Sequence, residues 1–116
     1  MNPQIFREYD IRGVVGHDFD EADVERIGLA FGTYVRQQGG KRLAVGRDHR
    51  LSSESFGMAL TKGLQATGCD IVDIGLVPTP VLYFSLFHLN TDGGCMITAS
   101  HNPAEYNGIK LCLGKA

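Results

Sequence analysis

Near the end of this chain a hydroxyl, an imidazole, an amide and an ammonium lie close together. They are Ser100, His101, Asn102 and Lys110, within the string Thr98-Ala99-Ser100-His101-Asn102-Pro103-Ala104-Glu105-Tyr106-Asn107-Gly108-Ile109-Lys110. An apolar run, Cys95-Met96-Ile97, leads in, and a second, Ile109 to Leu113, leads out. The polar residues between them, with Pro103 and Gly108, read as a loop of about six to eight residues joining two strands. A hydroxyl at a strand tip, with a lysine returning beyond a tight turn, suits nucleophilic chemistry on an anion. Ser100 is placed to act as nucleophile or phosphate carrier, while Lys110 and backbone N–H groups hold negative charge.

Serine next to histidine means little alone, because neighbouring side chains on an extended chain point to opposite faces. A hydrolase triad needs spatial proximity, and there is no Gly-x-Ser-x-Gly elbow. The longer string is more specific. Thr-Ala-Ser-His-Asn-Pro followed by Tyr-Asn-Gly-Ile-Lys resembles the phosphoserine loop of the α-D-phosphohexomutases, the phosphoglucomutase and phosphomannomutase family. Phe6-Arg7-Glu8-Tyr9-Asp10-Ile11-Arg12-Gly13 resembles the N-terminal signature of the same family. Val45-Gly46-Arg47-Asp48-His49-Arg50-Leu51-Ser52-Ser53 and Gly75-Leu76-Val77-Pro78-Thr79-Pro80 follow in the family's order.

The resemblance implies a catalytic set of Ser100, His101, Lys110 and Arg12, with Tyr9 and Asn102 binding substrate. Ser100 carries the phosphoryl group exchanged with the sugar. His101 is read either as a general acid or base on the sugar hydroxyl or as a hydrogen-bond donor to phosphate. Arg12 suits a phosphate or a sugar hydroxyl, the competing reading being an ion pair with Asp10 or Glu8. Tyr9 has packing as its alternative, and Asn102 has holding the turn before Pro103. The implied cofactors are Mg2+, with Ser100 as its ligand here through the phosphate and acids of a second domain as the others, and a hexose 1,6-bisphosphate activator. The implied reaction interconverts hexose 1-phosphate and hexose 6-phosphate, with glucose and mannose phosphates leading. The family has four domains, so residues 1–116 are expected to be the first alone, truncated, inactive in isolation, and lacking a helix that would otherwise cover apolar surface of the last strands. Two further readings are a non-catalytic sugar-phosphate-binding module and an interaction domain that keeps the fold without the chemistry.

The remaining composition narrows the class. The chain has 116 residues, 43% of them hydrophobic, and a net charge of −2, enough for one core and without the basic excess that nucleic acid or an anionic membrane surface would recruit. No apolar run approaches membrane-span length and no signal-peptide core follows Met1, so the expected location is cytoplasmic and the expected partners are sugar phosphates. Cys69, Cys95 and Cys112 follow no zinc spacing and sit in apolar stretches, reading as buried free thiols. Asp18, Asp20, Glu21 and Asp23 fail the EF-hand pattern and read as a helix start. Arg47, Asp48 and Arg50 read as an ion-pair network that fixes a loop. His17, His49 and His88 have no ligand spacing.

Strands and helices alternate. Strands are predicted at Ile5 to Asp10 (ending at an Arg12-Gly13 turn), Arg42 to Gly46, Asp70 to Ile74, Gly94 to Thr98 and Ile109 to Leu113, with a short hairpin arm at Val14-Val15-Gly16. Helices are predicted at Asp20 to Gln38, from a Ser52 or Ser53 cap to Gly68, and from a Thr79 cap with Pro80 first to about Leu89. This order predicts a three-layer α/β/α domain, as in the first domain of phosphoglucomutase. Its sheet is mixed but mainly parallel, with one edge allowed to be antiparallel by the short last loop.

Overall fold

The alternation folds into eight elements: β1 (Ile11–Val14), α1 (Glu21–Gln37), β2 (Arg42–Arg47), α2 (Ser53–Ala66), β3 (Asp70–Leu76), α3 (Thr79–His88), β4 (Gly93–Ile97) and β5 (Tyr106–Leu113). The structure is a computed structural model that describes residues 10–99 and 102–114, with the backbone alone for 83 and 85–88. The sheet order is β1-β5-β4-β2-β3. β2 pairs in parallel with β3 and β4, and β5 pairs antiparallel with β4 and β1. Four strands therefore run one way and β5 alone runs against them, which is the mixed, mainly parallel sheet expected.

The connections explain the layers. β2 reaches β3 through α2 on one side, and β3 reaches β4 through α3 on the other side of β2. Right-handed crossovers in opposite directions place their helices on opposite faces. On one face α1 and α2 bury Val24, Ile27, Val35, Phe56, Leu60 and Leu64 against Leu43, Val45, Cys95, Ile97 and Ile109. On the other, Leu82 of α3 meets Ala44, Met96 and Cys112. The strand residues alternate between the two sets, as the pleat requires.

α1 starts as Asp20, Glu21 and Asp23 predict, whereas Asp18 instead accepts from the Val14 N–H at 2.8 Å in the preceding turn. Asp20 is the N-cap and accepts from the Asp23 N–H at 3.0 Å, while Asp23 accepts from the Asp20 N–H at 3.0 Å. The two acids form a reciprocal capping box, and their charge sits where the helix dipole favours it. α1 and α2 cross so closely that a Cβ on Gly28 would lie 2.6 Å from the Leu60 carbonyl, and one on Gly63 would collide with the Glu25 carbonyl. Cys69, Cys95 and Cys112 are buried free thiols, and burial, with the other two thiols nearby, pushes the Cys95 thiol far up.

Several expectations need correction. The first described strand is Ile11–Val14, and Arg12-Gly13 lies inside it. Pairing with β5 buries Ile11, and the turn is displaced to Gly16, at φ 82. Residues 5–9 lie outside the described part. β5 begins at Tyr106 instead of Ile109. Asn107-Gly108 are thus strand residues, paired with Gly13 and Arg12. Ser52 stands at the α2 N-cap, but its side chain caps nothing and is taken up elsewhere. α3 includes Thr79 as its first residue, with the Val81 N–H on the Pro78 carbonyl at 3.0 Å. The last strands do leave some apolar surface open: β4 is buried throughout because it is central, but Leu111 of β5 is half-buried and Leu113 is exposed.

Candidate active site

The loop between β4 and β5 emerges at the carboxyl end of the parallel strands, where ligands of such sheets usually bind. Ser100, His101 and Tyr9 lie outside the described residues. The structure does place Arg12, Asn102 and Lys110. Arg12 donates through Nε to Asp10 Oδ2 at 2.7 Å and through Nη1 to Asn102 Oδ1 at 2.8 Å. The ion pair with Asp10 that competed with a site role is therefore real, and the same guanidinium also reaches the loop. The Asn102 backbone N–H bonds the Ala99 carbonyl at 3.1 Å.

Lys110 lies within β5 opposite Met96, and Arg12 lies opposite Gly108. Directly opposed residues share a face, and so do residues two apart on one strand. Arg12 and Lys110 consequently project from the same face, beside the point where the loop leaves β4. Gly108 makes this possible. A Cβ there would lie 3.0 Å from Arg12 Cγ and 3.0 Å from the Thr98 carbonyl, and would strike the Ile11 carbonyl. The glycine serves close approach instead of a turn.

The opposite flank of the loop is held by side chains from the β2–α2 connection. Arg50 donates to the carbonyls of Asn102 at 2.9 Å, Pro103 at 2.8 Å and Tyr106 at 3.1 Å, and its Nε to Asp48 Oδ2 at 3.1 Å. Asp48 also accepts from Ser53 Oγ at 2.5 Å and from the Arg50 N–H at 3.1 Å. Burial pushes the Asp48 carboxyl up, but the hydrogen bonds from Ser53, the Arg50 backbone, Thr98 and the Arg50 guanidinium together hold it below its ordinary value. Asn107, fully buried, donates to Ser52 Oγ at 2.8 Å and to Ser53 Oγ at 3.0 Å, and accepts from the Gly108 N–H at 2.8 Å.

The Asp48–Arg50 pairing matches the loop-fixing network expected. Arg47 stands apart from it, paired with Asp73 at 3.8 Å. Asn107 is the residue sequence reasoning missed. Its place before glycine reads as a turn, and only the pairing of β5 with β1 shows that it faces α2.

Beside this network a crevice of about 370 Å³ opens between the ends of β2 and β3, lined by Asp48, His49, Leu76, Val77 and Pro78. A second cleft, also about 370 Å³, lies between α2 and β2–β3. Its cations Arg47 and Lys62 are paired with Asp73 and Glu25, so it offers little net field to an anion. Among the described residues no group of three His, Cys, Asp or Glu could hold a metal, and no helix is long and apolar enough to cross a membrane.

Fold and site together define an α/β/α domain that presents a polar strand-to-strand loop, braced by arginines on both flanks, at the carboxyl end of its sheet. The family model described as phosphoglucomutase/phosphomannomutase, alpha/beta/alpha domain I, matches residues 3–116, and the chain belongs to that family. A phosphoglucomutase/phosphomannomutase of Thermococcus kodakarensis is 46% identical over 110 residues, which cover 93% of this chain and 24% of the relative. A phosphomannomutase of Salmonella typhimurium is 49% identical over 106 residues, covering 91% and 23%. The crystal structure of a phosphoglucomutase/phosphomannomutase family protein from Burkholderia thailandensis superimposes with a TM-score of 0.92 at 46% identity, covering 100% of this chain and 27% of that one. The chain thus spans about a quarter of the length of these relatives.

Proposed function

We propose that this domain carries the phosphoryl group of a hexose phosphate mutase on Ser100. The observation that supports this best is the 2.8 Å bond from Arg12 to Asn102, which joins the N-terminal signature to the loop signature across ninety residues of chain. It puts a guanidinium, an amide and the Lys110 face around the ends of the segment that contains Ser100 and His101. Phosphoryl transfer asks mainly for positioning and for charge stabilisation, and this arrangement supplies both kinds of group.

In the proposed reaction a sugar hydroxyl oxygen attacks the phosphorus and the bond to Ser100 Oγ breaks. The hydroxyl proton passes to a base, for which His101 is the candidate, and Ser100 Oγ is reprotonated. The bisphosphorylated sugar reorients and its other phosphate returns to the serine by the reverse steps. Arg12 and Lys110 balance the charge on the phosphoryl oxygens, and Tyr9 and Asn102 contact the sugar phosphate. Magnesium, when bound, would neutralise charge on the phosphoryl oxygens. Ser100, through its phosphate, is the ligand this chain would offer, and the further ligands belong to other parts of the protein. The domain is read as one part of a cytoplasmic enzyme, with a hexose 1,6-bisphosphate supplying the first phosphoryl group. Glucose and mannose phosphates are the proposed substrates, in keeping with relatives named phosphoglucomutase/phosphomannomutase and phosphomannomutase.

The test is to incubate the complete protein with glucose 1,6-bisphosphate and map the added phosphate by intact mass and peptide sequencing. The phosphate is expected on Ser100. Labelling at Thr98 or Ser85 instead overturns the assignment.

A further inference from the structure

The use made of Arg50 is unusual for an arginine. Its guanidinium, part of a side chain only 11% exposed, is turned away from solvent onto three carbonyl oxygens of one loop, those of Asn102, Pro103 and Tyr106. A planar fork of fixed N–H directions can meet three carbonyls in one arrangement, which a lysine's compact, rotating ammonium cannot reproduce. The charge is balanced by Asp48, itself fixed by Ser53, by the Arg50 N–H and by its own N–H on the Ile97 carbonyl at 2.9 Å.

This framework brackets the segment that holds Ser100. Upstream, Asp48 is tied to Ile97 and accepts from Thr98; downstream, Arg50 holds residues 102 to 106 and Asn107 is locked to Ser52 and Ser53. Asn102 is gripped from two sides, its side chain by Arg12 and its backbone carbonyl by Arg50. The framework thus ties the β2–α2 connection to both arms of one loop, with Asn107 and Ser53 buried where β5 meets the start of α2.

We infer that Arg50, oriented by Asp48, is a positioning residue for phosphoryl transfer. It fixes the downstream arm of the loop, residues 102 to 106, relative to Arg12 and Lys110, and acts on the reaction through that arm alone. The inference rests on the mutase reading above. In-line transfer tolerates little displacement, and a misplacement of about 1 Å costs roughly 10²-fold in rate.

The experiment uses the complete protein, wild type and variants, with glucose 1-phosphate and glucose 1,6-bisphosphate. Arg50→Lys is expected to lower kcat about 10²-fold while leaving KM and the melting temperature close to wild type. Arg50→Ala is expected to recover part of its rate with millimolar methylguanidinium, which can re-form the carbonyl bonds. Peptide-level hydrogen exchange should quicken across residues 99–107 and nowhere else. Wild-type kcat in Arg50→Lys overturns the inference, as does a loss of rate that tracks a general loss of protection and melting temperature. A wild-type protein that neither turns over nor carries phosphate on Ser100 brings down the mutase reading itself, a failure visible before any variant is made.

Discussion

At the residue scale, the guanidinium of Arg12 is asked to do two things. It anchors Asn102, and under the proposed function it balances phosphate charge. The two demands separate experimentally. If Arg12 acts only through the loop, Arg12→Ala and Asn102→Ala should cost the same in kcat/KM, and the double variant no more than either, since residues acting as one unit are not additive. If it also meets phosphate, Arg12→Ala should lose on the order of 10²–10³, as when one charge-stabilising donor is removed, and exceed Asn102→Ala. Lys110→Ala is expected to lose a similar factor, with folding little affected because Lys110 is only half-buried at the strand surface. Melting curves taken beside the kinetics decide the matter. A variant that melts early yet turns over normally would mark its residue as scaffold.

At the element scale, the contact between α1 and α2 depends on two glycines meeting backbone to backbone. A Cβ on Gly63 would meet the Glu25 carbonyl, the Leu29 nitrogen at 2.9 Å and the Gly28 Cα at 3.0 Å, none of which can rotate away. Gly63→Ala should therefore destabilise the domain by about 1–3 kcal/mol, the usual cost of overpacking. Gly57, on the same helix, has only Arg47 Cδ at 3.9 Å near its missing Cβ. Gly57→Ala should stabilise by about 0.5–1 kcal/mol, since glycine costs that much inside a helix. Chemical denaturation of the two variants should move the midpoint in opposite directions; a common direction would mean that the helix crossing is looser than described. The periodic apolar stripes, the acids before α1 and the alternating strands made these elements legible in the sequence. What was not legible depends on pairing between distant segments. Gly13 and Gly108 read as turn residues because glycine commonly is one, yet each lies in a strand ladder that only the meeting of β1 with β5 creates. Ser52 reads as a helix cap, but a buried Asn107 from the far end of the chain takes its hydroxyl. At the site, the residue types of the loop string and Arg12 marked them as candidates, while the grip of Arg50 on three carbonyls was not legible, because carbonyl direction leaves no trace in side-chain identity.

At the scale of the molecule, the proposed function makes the arrangement described one wall of a site. Arg12, Asn102 and Lys110 gather around a loop at the carboxyl end of the sheet, and the neighbouring crevice is open and lined mostly by Leu76, Val77 and Pro78. Transfer between two positions of a sugar needs groups that hold the far end of the substrate while the near end reacts, and relatives of this chain are about four times as long. The domain has its own two hydrophobic clusters on either face of the sheet, so residues 1–116 should fold alone, with cooperative melting and mixed α/β circular dichroism. They should not turn over hexose phosphate, because effective catalysis requires the reacting groups to be held together around the phosphoryl. The assay is the purified chain with glucose 1-phosphate, glucose 1,6-bisphosphate and magnesium, read by coupled detection of glucose 6-phosphate. Turnover in the ordinary enzymatic range, about 1–10³ per second, would show that this wall suffices, and the assignment of sugar binding to other parts of the protein would have to be abandoned.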